Sequence, residues 1–258
     1  MSRAHVHRMG VKLYVTPLNY DGIIEVKNII DGSVINFCDA PRFKVKHTYL
    51  TANRRLADRG VYLEAATRDN NLHIGVGSYL EAVKNGENVI KTTQFGAFGE
   101  QAVEFNDFDA VQGETVEVTK YVSIYTGRDI PGEEIPEAVA EEISAFRMLG
   151  FEKEFKEHQA VYARLWLEAD IQIRGDFELD RAVRFNIFHL MSTGNFLLMQ
   201  MKLVCLLQEL RNREESRQLD AEGSLPVHWM TGSVRTPRRL KQEMFSLAEA
   251  RCCVTVRS

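Results

Sequence analysis

The spacing of apolar residues changes once along this chain, and that change limits the folds open to it. Up to about residue 127 apolar side chains recur every second position, and after Arg128-Asp129 they recur at helical spacing. Leu72, Ile74, Val76, Ser78 and Leu80 alternate with polar or small residues, and Asn85-Gly86 then turns the chain into Val89 to Phe95. Val116, Val118, Val122 and Ile124 keep period two through TVEVTKYVSIYT, broken only by Lys120. Tyr14 to Pro17, Ile23 to Ile29 and Val34 to Phe37 are shorter strand-like runs, and Asp31-Gly32 between the last two predicts a two-residue hairpin. Hairpin-linked strands with one apolar face make an antiparallel sandwich and exclude a parallel dinucleotide fold.

The second half reads as helices. Ile135-Pro136 followed by Glu137, Glu141 and Glu142 is a helix start, with proline in the first turn and carboxylates at the positive end of the dipole. Gly150 divides it from a second helix, Glu152 to about Ala169. A third begins at Asp176, its predicted N-cap, and carries Leu179, Ala182, Val183, Ile187, Leu190 and Met191 on one stripe. The expected layout is a sandwich, a two-helix linker and a helix that begins something larger.

With 258 residues, 45% of them hydrophobic, the chain has material for one large domain or two small ones. Its net charge of −4 argues against nucleic acid or an anionic membrane held by bulk charge. No apolar run reaches the roughly 18 residues of a membrane span; the longest candidate, Gly194 to Leu207, is interrupted by Gln200 and Lys202. The opening MSRAHVHRMG has no apolar signal core, and Cys38, Cys205, Cys252 and Cys253 form no CxxC pair or disulfide framework, so a reducing, cytoplasmic setting is expected. From about residue 194 the composition shifts: three of the four cysteines lie beyond it, and the tail carries +3 against −7 for the body. A domain boundary produces such a shift, and so does a change of reading frame.

Gly75-x-Gly77-x-x-Leu80 is an incomplete dinucleotide fingerprint inside an alternating strand, with no helix after it. His5, His7, His47, His73, His158, His189 and His228 show no i, i+4 pair enclosing a glutamate, so no metal site is expected. His5 and His7 share a face in an extended segment and offer at most weak chelation. Glu133-Glu134 and Glu141-Glu142 are read as solvated first-turn carboxylates. Asp170, Asp176 and Asp180 flank a strand-like turn and a helix start, with Asp176 accounted for by capping. Trp166 and Phe188 sit on amphipathic helices as core residues rather than sugar platforms. Nucleophile elbows and phosphate-cradling glycine loops are absent from the sequence.

Three segments carry a family resemblance. TPLNYDGIIEVKNIIDGSVIN (Thr16 to Asn36), VTKYVSIYTGRD (Val118 to Asp129) and ADIQIRGDFELDRAVRFNIFHLMST (Ala169 to Thr193) resemble glycoside hydrolase family 65, the maltose, trehalose and kojibiose phosphorylases. Ser2, Ala4 and His7 match the family pattern S-x-A-x-x-H, which normally lies well inside the sandwich. Tyr162 stands where the family usually has tryptophan. The resemblance covers about residues 2 to 193. Nothing after Thr193 matches the glycine-rich stretch, the Trp-Asp-Thr-Glu motif or the general-acid glutamate of the family.

The resemblance implies a mainly β fold with α: part of an antiparallel sandwich of the supersandwich type over 1–129, a helical linker over 130–170, and the start of an (α/α)6 barrel over 171–193. Residues 194–258 are expected to be a non-family tail. It implies inverting phosphorolysis of an α-linked glucosyl disaccharide by inorganic phosphate, giving glucose 1-phosphate, in homodimers that need no metal or organic cofactor. On this reading the chain is a fragment, inactive alone, with no catalytic residue to carry over. Arg184, Asn186 and His189 lie on the barrel helix and are the substrate-proximal candidates, although helix packing is their commoner employment. The alternative is a non-catalytic carbohydrate-binding or structural sandwich that docks a separate barrel chain.

Overall fold

The computed structural model describes residues 1–37, 44–56 and 59–193 and the backbone of 252–257. The strands are β1 (Arg8–Val15), β2 (Gly22–Asp31), β3 (Asn36–Phe37), β4 (Lys44–Val45), β5 (Thr48–Arg55), β6 (Val61–Thr67), β7 (His73–Lys84), β8 (Glu87–Asn88), β9 (Thr92–Phe98), β10 (Gln101–Ala110), β11 (Val116–Thr126) and β12 (Cys252–Arg257). The helices are α1 (Ile135–Leu149), α2 (Phe151–Ala169) and α3 (Phe177–Thr193). Among the described residues, those up to His158 form one compact unit together with 252–257, and 159–193 form a second.

The first unit is an antiparallel sandwich. One sheet runs β1-β11-β7-β6-β5, with β8 on β7, and the other runs β12-β2-β10-β9. Strand alternation decides what meets between them. Ile74, Val76, Leu80 and Ala82 of β7 and Val116, Val118 and Val122 of β11 point inward, against Ile24, Val26 and Ile30 of β2 and Ala102, Phe108 and Ala110 of β10. Each fully buried aliphatic side chain of this kind contributes about 1.5–3 kcal/mol.

Polar residues on the same inward faces divide this core. Asn28, Ser78, Glu104, Asn106 and Lys120 are all buried. Lys120, the break in the β11 period, donates from Nζ to the Ile29 carbonyl on the opposite sheet at 3.0 Å. The Ser78 hydroxyl donates to Asn28 Oδ1 at 2.6 Å, and Glu104 accepts the Gly60 N–H at 2.7 Å. A slip of one sheet over the other would leave such groups buried and unpaired, at about 1–3 kcal/mol each. These bonds therefore fix the register between the sheets.

The outer face of the larger sheet receives α1. Gly75 and Gly77 of β7 stand in register between Glu64 and Tyr125 and between Tyr62 and Ser123. The absence of side chains there lets Ile135, Val139, Ile143 and Phe146 of α1 settle among Tyr62, Tyr79 and Tyr121. A Cβ on Gly75 would collide with Ile135, and one on Gly77 with Val139 and Ile143. The two glycines are a helix seat, which accounts for a fingerprint that no helix follows. Arg147 lies 3.7 Å above the Tyr79 ring and donates to Glu81 at 2.8 Å, fixing the far end of α1.

Two turn expectations had different outcomes. Asn85-Gly86 makes the expected turn, with φ of 54° and 86°, between β7 and β8. Asp31-Gly32 does not make a hairpin. β2 pairs with β10 and β12, while the Asp31 carboxylate accepts Ser33 N–H and Gly32 N–H goes to the Glu100 carbonyl. The local turn lost to long-range pairing. Apart from the strand at 252–257, which adds to the edge of β2, the expectation for residues 194–258 lies outside the described residues, as do Cys38 and Cys205. Among the described residues no helix is long and apolar enough to cross a membrane.

Gly77→Ala is expected to cost about 1–3 kcal/mol, because the added methyl displaces α1. Gly113→Ala is no substitute control, since its backbone has φ of 78°, so Ala97→Gly on β9 serves as the comparison. Urea unfolding gives the result; a Gly77→Ala protein as stable as its parent would contradict the seat.

Candidate functional site

A polar cluster of the first unit forms where the N-terminal turn meets α1 and the start of α2. The Ser2 hydroxyl accepts the N–H groups of Ala4 and His5, both at 3.1 Å, and Ser2 N–H donates to the Arg8 carbonyl at 2.8 Å. This is a serine-closed turn, and it turns His5 and Arg8 toward the helices. Arg8 donates from Nε to Glu142 of α1 at 2.5 Å and from Nη1 to Glu154 of α2 at 2.8 Å. Ser2 donates to the same Glu154 carboxylate. His5 Nδ1 lies 3.0 Å from Glu154 and 3.8 Å from Glu157.

Burial pushes the Glu154 carboxyl upward, but hydrogen bonds from Ser2, Arg8 and His5 outweigh it and hold the group below its ordinary value. A cavity of about 190 Å3 opens beside it, lined by Phe146, Phe151, Phe155, Glu154 and His158. Burial lowers the pKa of His158, whose Nδ1 lies 3.1 Å from the Arg3 N–H.

Glu64 of β6 centres a second network. It accepts from Tyr62 at 2.6 Å and from Thr51 at 3.1 Å, and stands 2.8 Å from His73 Nδ1. Burial raises Glu64, and the bonds from Tyr62, His73 and Thr51 bring it below the ordinary carboxylate range. Burial and the Glu64 charge push the Tyr62 phenol up. Sequence reasoning missed this group, because the β6–β7 register that places His73 opposite Ala66, diagonal to Glu64, is long-range information. Only the i, i+2 spacing of Tyr62 and Glu64 on one strand face hinted at it.

Several expected roles changed. His5 and His7 do not share a strand face, since residues 3–7 form bends and a turn rather than a strand. His7 bonds the Ile124 carbonyl at 2.8 Å and stacks on Tyr125 at 3.8 Å. Glu142 is not merely solvated: it holds Arg8 and accepts from Tyr125 at 3.1 Å.

In the second unit α3 packs on the C-terminal half of α2 through Leu165, Ala169, Ile187 and Met191. Tyr162, the departure from the family tryptophan, meets Ser192 Oγ at 3.1 Å. Asp176 caps α3 by accepting Leu179 N–H at 3.0 Å, and Asp180 accepts Ile173 N–H at 2.8 Å. Of the candidates, Arg184 stands 2.9 Å from Asp170 and over Trp166, Asn186 donates to its own helix at Ala182, and His189 meets the Phe185 edge-on. At about 100° per residue Asn186 projects from nearly the opposite side of α3 to Arg184. Phe177, Leu179, Phe185 and Phe188 remain exposed on α3.

The Arg8 bridge generates a test. Its side chain and that of Glu154 are under a tenth exposed, so Arg8→Ala strips a buried carboxylate of its guanidinium partner and should cost about 3–5 kcal/mol. Because the folded-state pKa of Glu154 is depressed, its ionised form stabilises the fold above the ordinary carboxyl value, and that contribution is lost as pH falls through the depressed one. Arg8→Ala should therefore move the acid unfolding midpoint to higher pH, as read by circular dichroism. An unchanged midpoint would contradict the bridge.

Comparison with known proteins agrees with this architecture. Residues 1–165 match the family model for the N-terminal domain of glycosyl hydrolase family 65. A kojibiose phosphorylase of Thermoanaerobacter brockii is 42% identical over 199 residues, 76% of this chain and 26% of the relative. An alpha,alpha-trehalose phosphorylase of the same organism is 27% identical over 196 residues, 72% of this chain and 24% of the relative. A solved structure titled as a putative kojibiose phosphorylase from human microbiome superposes with a TM-score of 0.52 at 10% identity, over 66% of this chain and 21% of that one, and shows the shared fold. The chain spans about a quarter of the length of the curated relatives it matches. Sandwich, helices and family match agree, and this chain belongs to glycosyl hydrolase family 65.

Proposed function

We propose that this chain supplies the N-terminal sandwich and following helices of an inverting disaccharide phosphorylase. Its substrates are inorganic phosphate and an α-linked glucosyl disaccharide, with kojibiose foremost, and its products are glucose 1-phosphate and a free sugar. The carrying observation is the identity with a kojibiose phosphorylase over three quarters of the chain. In such a reaction a carboxylic acid protonates the leaving oxygen while phosphate attacks the opposite face of the sugar. The working enzyme is a cytoplasmic homodimer without a catalytic metal or organic cofactor.

On this reading the sandwich positions its neighbours and holds no reacting group. Of Arg184, Asn186 and His189, only those on the side of α3 that a surrounding barrel turns toward the substrate lie near it. The exposed Phe177, Leu179, Phe185 and Phe188 support this role, because apolar area gains about 25 cal/mol per Å2 on leaving water. The same exposed side chains favour the second reading, a sandwich that docks a separate barrel chain. Co-elution with a separately expressed barrel, and recovery of phosphorolysis in the mixture, would select that second reading.

The isolated chain is expected to release no glucose 1-phosphate from kojibiose, trehalose, maltose or nigerose above a protein-free blank. Loss of a positioned proton donor alone slows such chemistry by about 10²–10⁴-fold. Residues 2–193 grafted in place of the matching segment of the Thermoanaerobacter brockii enzyme should keep kojibiose phosphorolysis. A well-folded graft without it would overturn the assignment.

A further inference from the structure

We propose that His5, Glu154 and Glu157 bind one divalent transition-metal ion of the zinc class, which fastens the N-terminal turn to α2. The three residues offer one imidazole nitrogen and two carboxylate oxygens, and these atoms all lie within 4.8 Å of one another. A tetrahedral zinc ion with bonds of about 2.0–2.2 Å holds its ligand atoms about 3.3–3.6 Å apart. The His5 Nδ1 distances of 3.0 Å to Glu154 and 3.8 Å to Glu157 straddle that spacing.

Local structure explains the convergence. Glu154 and Glu157 are three residues apart on α2 and so share a face, while the Ser2-closed turn delivers His5 to it. The site also has a built support. Arg8 and Ser2 hold the buried Glu154 carboxylate by hydrogen bonds, and Glu142 holds Arg8 in turn, the kind of outer shell that orients a metal ligand. Glu142, Glu154 and Glu157 bring three carboxylates to this place, two of them paired with Arg8.

The donor set selects the metal. Imidazole with carboxylate suits zinc, cobalt or manganese, whereas magnesium and calcium favour all-oxygen shells. The His5 and Glu157 side chains are 38% and 39% exposed, which opens a path for the ion and leaves a fourth position for water. The role is a structural staple, independent of phosphorolysis.

Cobalt(II) titration of the full chain, followed by visible absorption and by competition with zinc, tests the proposal. One cobalt ion per chain is expected, with intense tetrahedral bands, no near-ultraviolet thiolate-to-cobalt band, displacement by zinc and no displacement by excess magnesium. Zinc should also raise the melting temperature. His5→Ala and the exposed Glu157→Gln should each weaken binding at least ~10-fold while circular dichroism shows an intact fold. A thiolate band would assign the metal to the cysteines instead. That result, no saturable cobalt spectrum, or affinity unchanged in both variants would overturn the site.

Discussion

A helix can approach a sheet only as closely as the side chains beneath it allow, and in this chain Gly75 and Gly77 set that distance. Without Cβ atoms at these positions, Ile135, Val139 and Ile143 reach the β7 backbone between the tyrosines of the neighbouring strands. The position of α1 then determines the rest of the polar cluster. It places Glu142 where Arg8 can meet it, and Arg8 in turn meets Glu154 at the start of α2. The N-terminal turn closes on the same carboxylate through Ser2 and His5. A buried charge set is tolerable only when each member is paired, so these contacts depend on one another and on the helix seat.

The sandwich under α1 is held in a single register by its own polar core. Lys120 to Ile29, Ser78 to Asn28 and Glu104 to Gly60 all link one sheet to the other. Apolar packing alone would accept several offsets between the sheets; these hydrogen bonds accept one. A rigid platform of this kind suits a domain whose part is to position another, which is how the proposed phosphorolysis uses it.

The parts of this architecture visible in the sequence were those that local spacing controls. Period two in β7 and β11, the Asn85-Gly86 turn, the Pro136 helix start and the Asp176 cap each depend on neighbours in the chain, and each is found. Features settled by long-range pairing were not legible. Asp31-Gly32 carries a hairpin signal, but β2 is taken by β10 and β12. His5 and His7 read as partners on a strand until turn geometry separates them, and Glu142 reads as a surface charge until Arg8 arrives from 134 residues away. Gly75-x-Gly77 was visible only as an incomplete dinucleotide fingerprint, because the helix it seats folds back from Ile135 onward. Among the site candidates on α3, Arg184, Asn186 and His189 were grouped by sequence alone, while the Asp170 partner of Arg184 depends on how α3 packs against α2.

The central claim is that α1 belongs to the cooperative core of the sandwich rather than to a detachable linker. Native-state hydrogen exchange resolved to individual amides measures this directly. If the account holds, the amides of Val139 to Phe146 open with the same free energy as those of β7 and β11, because the helix leaves its seat only when the sandwich unfolds. Exchange in α1 that is ~100-fold faster than in β7, a difference of about 2.7 kcal/mol, would contradict it.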